Sequence, residues 1–145
     1  PVSVEVAIRH VQGDFALDVA FAAESGVVAL FGPSGCGKTT VLNVVAGLVR
    51  PRFGRVQVGG RTLLDTERGV FVPPHRRRVG YVFQDGRLFP HLSVRQNLVF
   101  GRWFTPRQER SAAFDDVVGL LGLGPLLQRR PKTLSGGEKQ RVAIG

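Results

Sequence analysis

The sequence predicts an α/β fold, and three observations carry that prediction. A short apolar run without alternation, residues 26–31, enters a glycine-rich turn and leaves it as a stretch with helical apolar spacing. Two alternating segments precede the run, as antiparallel strands do. After Gln84 the character changes to helices and loops. The expected architecture is a strand–turn–helix core, an antiparallel β subdomain at the N-terminal side, and a helical subdomain after Gln84.

Each element has its own justification. "VSVEVAIRHV" and "DFALDVAF" alternate apolar and polar residues and are separated by Gln12-Gly13-Asp14, a turn composition. "GVVALF" is apolar on both faces, which suits a strand buried in a parallel sheet. "VLNVVAGLVRP" follows with helical spacing, and Gly47 and Pro51 mark its end. "GRVQVGGRTL" reads as a strand and turn, and "RRRVGYVFQD" as a strand over residues 79–83. Ser93 and Thr105 are N-cap candidates, and Pro106 sits where a first helical residue is tolerated. "RQERSAAFDDVVGLLGL" is an amphipathic helix with Phe114, Val117, Val118 and Leu121 on one side. The final stretch is "PKTLSGGEKQRVAIG". Ser135 precedes Glu138 by three residues, the spacing of a capping box. Yet Gly136 and Gly137 fill the first turn, and each costs a helix interior about 1 kcal/mol relative to Ala.

A chain of 145 residues is long enough to bury a real core, and 43% hydrophobic content excludes a disordered class. The net charge of +9 rests on 17 arginines and 3 lysines, and residues 65–145 carry +7 of it. Such a balance attracts phosphates, nucleic acid or an anionic surface, and a solvated arginine-rich surface accounts for it equally well. The run Arg76-Arg77-Arg78 reads as a solvated loop. Cys36 is the only cysteine, which excludes an internal disulfide and makes a reducing compartment the default. No apolar run approaches the ~20 residues of a membrane helix.

The strongest chemical signal is Gly32-Pro33-Ser34-Gly35-Cys36-Gly37-Lys38-Thr39, a full G-x-x-x-x-G-K-[ST] match between a predicted strand and a predicted helix. Glycines let backbone N–H groups curl into an anion-binding nest. The helix that follows adds the positive end of its dipole. Lys38 would bridge the outer phosphates of a nucleoside triphosphate, and the Thr39 hydroxyl would hold Mg2+. Ser34, Cys36 and Thr40 would offer backbone amides. Gly136 and Gly137 make sense in the same terms, since glycine lets a phosphate approach a helix N-terminus closely and Ser135 adds a hydroxyl.

Three motifs in order carry a family resemblance. "GPSGCGKTT" resembles the Walker A motif of ABC-transporter ATPases. "GYVFQD" resembles their Q-loop, with Gln84 as its glutamine. Leu134-Ser135-Gly136-Gly137-Glu138-Lys139-Gln140 resembles their signature loop. The wording of "RRVGYVFQDGRLFPHLSVRQNL" and "LLGLGPLLQRRPKTLSGGEKQRVAIG" is most similar to the ATP-binding subunits of molybdate importers, and sulfate and ferric-iron importers share much of it.

The resemblance implies a head-to-tail homodimer with ATP sandwiched between one copy's Walker A and the other copy's signature loop. Ser135, Gly136 and Gly137 would then serve the ATP of the partner copy. Lys38 and Gln84 would act in catalysis, with Thr39 and Gln84 at the metal. Phe15 is a candidate for stacking on adenine and His10 a less conventional one, although Phe15 also fits a core position alongside Leu17, Val19 and Phe21. The implied partners are a second ATPase copy, transmembrane permease subunits and, indirectly, a substrate-binding protein, with no nucleic acid. Phe89, Pro90 and His91 fall in the neighbourhood that docks on the permease. The implied location is peripheral, on the cytoplasmic face of the inner membrane.

The expected organisation is a partial ABC ATPase domain: a β subdomain and Walker A core over 1–84, a helical subdomain over 85–134 and the signature helix over 135–145. In the family that helix leads to a strand bearing a magnesium-ordering Asp and a catalytic Glu, then a switch His. None of these follows in this sequence, so the chain is expected to be the N-terminal part of an ATPase that binds nucleotide without turning it over. Two other readings stay open: a soluble ABC-type ATPase without transport partners, and a basic nucleic-acid-binding module.

Overall fold

The computed structural model describes residues 3–104 and 114–145. They form two compact units, Pro1–Gly80 and Tyr81–Gly145.

The first unit is built on one antiparallel sheet in the order β2-β1-β3-β4-β5. β1 (Val4–Gln12) and β2 (Phe15–Ala23) pair along their whole length, with Ile8 opposite Val19, across a turn at Gly13. β1 also pairs with β3 (Phe53–Val58), which turns at Gly59-Gly60 into β4 (Arg61–Asp65). A two-residue strand, β5 (Val70–Phe71), closes the edge. The period of two puts Val6 and Ile8 of β1 on one face with Val56 and Leu64, and the register shift opposite Val56 and Gln57 brings the adjacent Leu63 into the same core. Helix α1 (Lys38–Ala46) lays Val41 and Val44 against them, as the three-residue spacing of its apolar positions predicts. Burying each such side chain contributes about 1.5–3 kcal/mol. A single turn of helix, α2 (Pro74–Arg77), follows β5.

The second unit is helical. α3 (Val94–Val99) starts at Ser93, whose side chain forms a capping box with Gln96. A 3-10 turn, Phe100–Trp103, follows it. α4 (Phe114–Leu120) presents Phe114, Val117 and Val118 half-buried, with Leu121 just beyond, as the amphipathic pattern predicts. Two 3-10 turns, Gly124–Leu126 and Pro131–Thr133, lead into α5 (Gly136–Ile144). The core here is Val94, Leu123, Leu126, Leu134 and Val142.

Two expected strands are absent from the structure. Residues 26–31 form no ladder, and Val27 and Phe31 are 96% and 98% exposed. Residues 79–83 are likewise unladdered, with Val79 and Val82 exposed. An apolar run becomes a buried strand only if neighbouring strands accept its backbone groups. Among the described residues no strand ladders with either segment. The expected caps at Thr105 and Pro106, and the first part of the helix predicted over 107–123, lie outside the described residues.

Candidate functional site

The glycine-rich turn occupies residues 32–37 and passes directly into α1. Gly37 is the helix N-cap and lies in the left-handed region at φ 99°. A Cβ there would come within 2.8 Å of the Phe15 Cζ and 2.9 Å of the Leu17 Cδ1, so only glycine fits. At Gly32 a Cβ would meet the Cys36 Sγ at 2.8 Å. The turn is thus closed on itself at one end and pressed against β2 at the other.

Lys38 folds back over this turn. Its Nζ donates to the carbonyl oxygens of Gly32 and Pro33, each at 2.8 Å, and lies 3.6 Å from the exposed Cys36 Sγ. The cation therefore sits over the loop. α1 has no side-chain cap and no acidic residue in its first turn. The first amides of a helix have no intrahelical acceptor, so this end offers N–H groups and positive dipole together. Ser34, Gly35 and Thr39 are exposed, and Thr40 is half-buried. The loop thus brings a cation, exposed hydroxyls and uncapped helix amides together.

Phe15 has two neighbours that define its place. Its side chain is half-buried and its ring touches Gly37, at the start of the face that carries Leu17, Val19 and Phe21 into the core. His10 pairs with Leu17 on β1, and its buried Nδ1 has no partner among the described residues.

The second helix start differs in a telling way. At α5 the Ser135 Oγ accepts from the Glu138 N–H at 3.3 Å, and a Glu138 carboxylate oxygen accepts from the Ser135 N–H at 2.7 Å. This capping box was legible in the sequence. Hydrogen bonding of the Glu138 carboxyl to Ser135, from its backbone first and its side chain second, holds that carboxyl below its ordinary range. Gly136 and Gly137 are exposed, neither has positive φ, and a Cβ on either would meet nothing within 4 Å. Nothing among the described residues demands glycine at these positions. Gln84 is exposed in a turn of the second unit, and Gly86 N–H donates back to the Phe83 carbonyl at 3.1 Å. The loop at 32–39 belongs to the first unit, whereas Gln84 and the Ser135 loop belong to the second.

Near Phe89 the second unit carries exposed aromatic surface. The Phe89 and Phe100 rings lie 4.2 Å apart, Phe100 and Phe104 5.6 Å, and Phe89 and His91 6.2 Å. Asn97 fixes this turn by accepting from Phe89 N–H at 2.8 Å and donating to the carbonyls of Phe89, Leu92 and Ser93.

One expectation of the charge run is overturned. Arg76 and Arg78 are exposed, but Arg77 is 3% exposed and bonded to three main-chain carbonyls. The charge run itself carries no signal that its middle member turns inward. The one hint is the end of α1 at Gly47, where unpaired carbonyls need donors.

Comparison with known proteins follows the same lines. The ABC transporter family model matches residues 18–145. The molybdenum import ATP-binding protein ModC of Mesorhizobium japonicum is 62% identical over 143 residues, covering 99% of this chain and 39% of that protein. The protein of the same name from Rhizobium etli is 60% identical over 133 residues, covering 92% of this chain and 38% of that protein. The chain thus spans about two fifths of the length of these relatives. Among solved structures, the dimeric post-hydrolysis state of the ATP-binding cassette MJ0796 bound to ADP and Pi matches with a TM-score of 0.66 and 25% identity. That match covers 99% of this chain and 67% of that one.

Proposed function

This chain belongs to the ABC transporter family, and from that premise we propose that it is the nucleotide-binding part of an importer ATPase that powers uptake of molybdate or a related oxyanion. The loop at 32–39 carries the reading. Its glycines, the uncapped start of α1 and the ammonium of Lys38 bring backbone amides and positive charge together on one loop. ATP phosphates are the ligand that such a surface fits.

The chain's own residues would act as follows. The loop amides and those of Lys38, Thr39 and Thr40 hold the phosphate oxygens. Lys38 exchanges the carbonyls of Gly32 and Pro33 for the outer phosphates, so its charge meets an anion instead of two neutral acceptors. Phe15, whose ring lies against Gly37, would stack on the adenine ring. Thr39 and Gln84 each offer one neutral oxygen to Mg2+, and no cluster of three or more His, Cys, Asp or Glu side chains that could hold a metal occurs among the described residues. That donor set fits an ion held chiefly by phosphate oxygens. When bound, the magnesium ion would neutralise phosphate charge and orient the outer phosphates.

Ser135, Gly136 and Gly137 would serve the nucleotide of a second copy in a two-fold dimer. The open space over both glycines supports this, because their identity has no internal explanation. The aromatic surface around Phe89 and His91 would face the transmembrane permease subunits, through which a substrate-binding protein is reached indirectly. A peripheral position on the cytoplasmic side of the membrane follows from that docking. In the proposed organisation, 1–84 holds the nucleotide, 85–134 docks and 135–145 is the signature helix. Binding is assigned to the residues of this chain, and hydrolysis to the whole protein.

The molybdate assignment draws on the ModC relatives. Reconstitution of the whole protein with its permease tests it: molybdate should stimulate ATP hydrolysis more than sulfate or ferric iron, and stimulation by one of the others alone would refute it.

A further inference from the structure

The end of α1 opposite the phosphate loop carries an unusual anchor. The Arg77 Nη1 donates to the carbonyls of Val44 and Val45, both at 2.8 Å, and its Nε donates to Val72 at 2.7 Å. The guanidinium lies over the Phe71 ring, 5.2 Å from its centroid. Gly47, the helix C-cap at φ 83°, gives it room, since a Cβ there would lie 2.5 Å from the Arg77 Nε. Burial lowers the Arg77 pKa, so a cation is held here at a desolvation cost. Its Nη2 has no partner among the described residues.

Ordinary capping already serves part of this helix end. The Asn43 carbonyl accepts from the Leu48 and Val49 N–H groups, and the Val44 carbonyl accepts from the Gly47 N–H. A solvated C-terminus needs no more than that and water. An inward arginine does something further: it ties the last turn of α1 to the strand end at Val72 and fixes how far the helix protrudes along its axis. α1 is only nine residues long, and its first two, Lys38 and Thr39, are the proposed nucleotide ligands. A rigid helix passes a displacement at one end to the other.

We propose that Arg77 is a positioning residue for nucleotide binding, which locks the C-terminal end of α1 so that the phosphate loop at its N-terminal end is held in register. This inference rests on the nucleotide-binding reading above. It concerns a residue that touches no ligand.

Arg77→Lys tests it, because lysine keeps the charge but cannot span the three carbonyls. Two readouts are needed: Mg-ATP affinity by calorimetry, and amide hydrogen exchange without nucleotide at residues 41–43, the first amides of α1 with acceptors in the turn and first helical residues. The expected result is a folded variant with exchange at 41–43 accelerated, exchange in β1 and β3 unchanged, and affinity weakened about tenfold. A folded variant with wild-type affinity and wild-type exchange at 41–43 overturns the proposal. If Arg77→Lys does not fold, Phe71→Leu removes the ring beneath the guanidinium and leaves the carbonyls in place. Faster exchange at 41–43 with weaker binding then supports the proposal, and no change in either overturns it. A wild-type chain that binds no Mg-ATP would refute the nucleotide reading instead, and the exchange readout would still decide the anchor.

Discussion

Lys38 is the residue on which the site turns. It is the one cation seated over the loop by two main-chain hydrogen bonds among the described residues. Lys38→Ala should abolish measurable Mg-ATP binding while leaving the sheet intact, which calorimetry and circular dichroism would check. Ser135 makes a different prediction. Ser135→Ala removes the acceptor for the Glu138 N–H and should cost about 0.5–2 kcal/mol in stability, read from the urea midpoint. It should not change Mg-ATP affinity of a single copy, because its proposed phosphate belongs to a partner. Glu138 adds a pH dependence. Its folded pKa is depressed, so the stability it contributes is present above its unfolded value and is lost as pH falls through the lowered folded value. Glu138→Gln should flatten the change in urea midpoint between neutral pH and about pH 3. The chemistry of these residues was legible in the sequence because spacing alone defines both G-x-x-x-x-G-K-[ST] and S-x-x-E. Arg77 was not, since burial of one arginine among three depends on a helix end more than thirty residues away.

The elements were legible wherever local sequence decides them. β1 and β2 alternate, α1 repeats apolar residues at helical spacing, and Ser93 and Ser135 each stand before their capping partner. The two-residue β5 and the single turn α2 were missed, for neither is long enough to show a period. Residues 26–31 and 79–83 failed for the opposite reason: their apolar pattern is clear, but a strand buried on both faces is made by its neighbours. Packing predictions belong at this scale as well. Leu123 is fully buried in the core of the second unit, and Leu123→Ala should destabilise it by about 2–5 kcal/mol in denaturant unfolding.

For the molecule as a whole, the chain divides into two units with separate cores. The first offers the phosphate loop, and the second offers Gln84, the Ser135 loop and an aromatic surface. Sequence motifs single out both stretches, because a phosphate would impose the same backbone demands at either helix start. The most direct test is thermal unfolding of the chain with and without Mg-ATP, beside Lys38→Ala. A ligand that binds only the folded state must raise the midpoint. The account predicts a rise that saturates with Mg-ATP for the wild type and none for Lys38→Ala. An unchanged wild-type midpoint at saturating nucleotide, or an equal rise in both proteins, would contradict it.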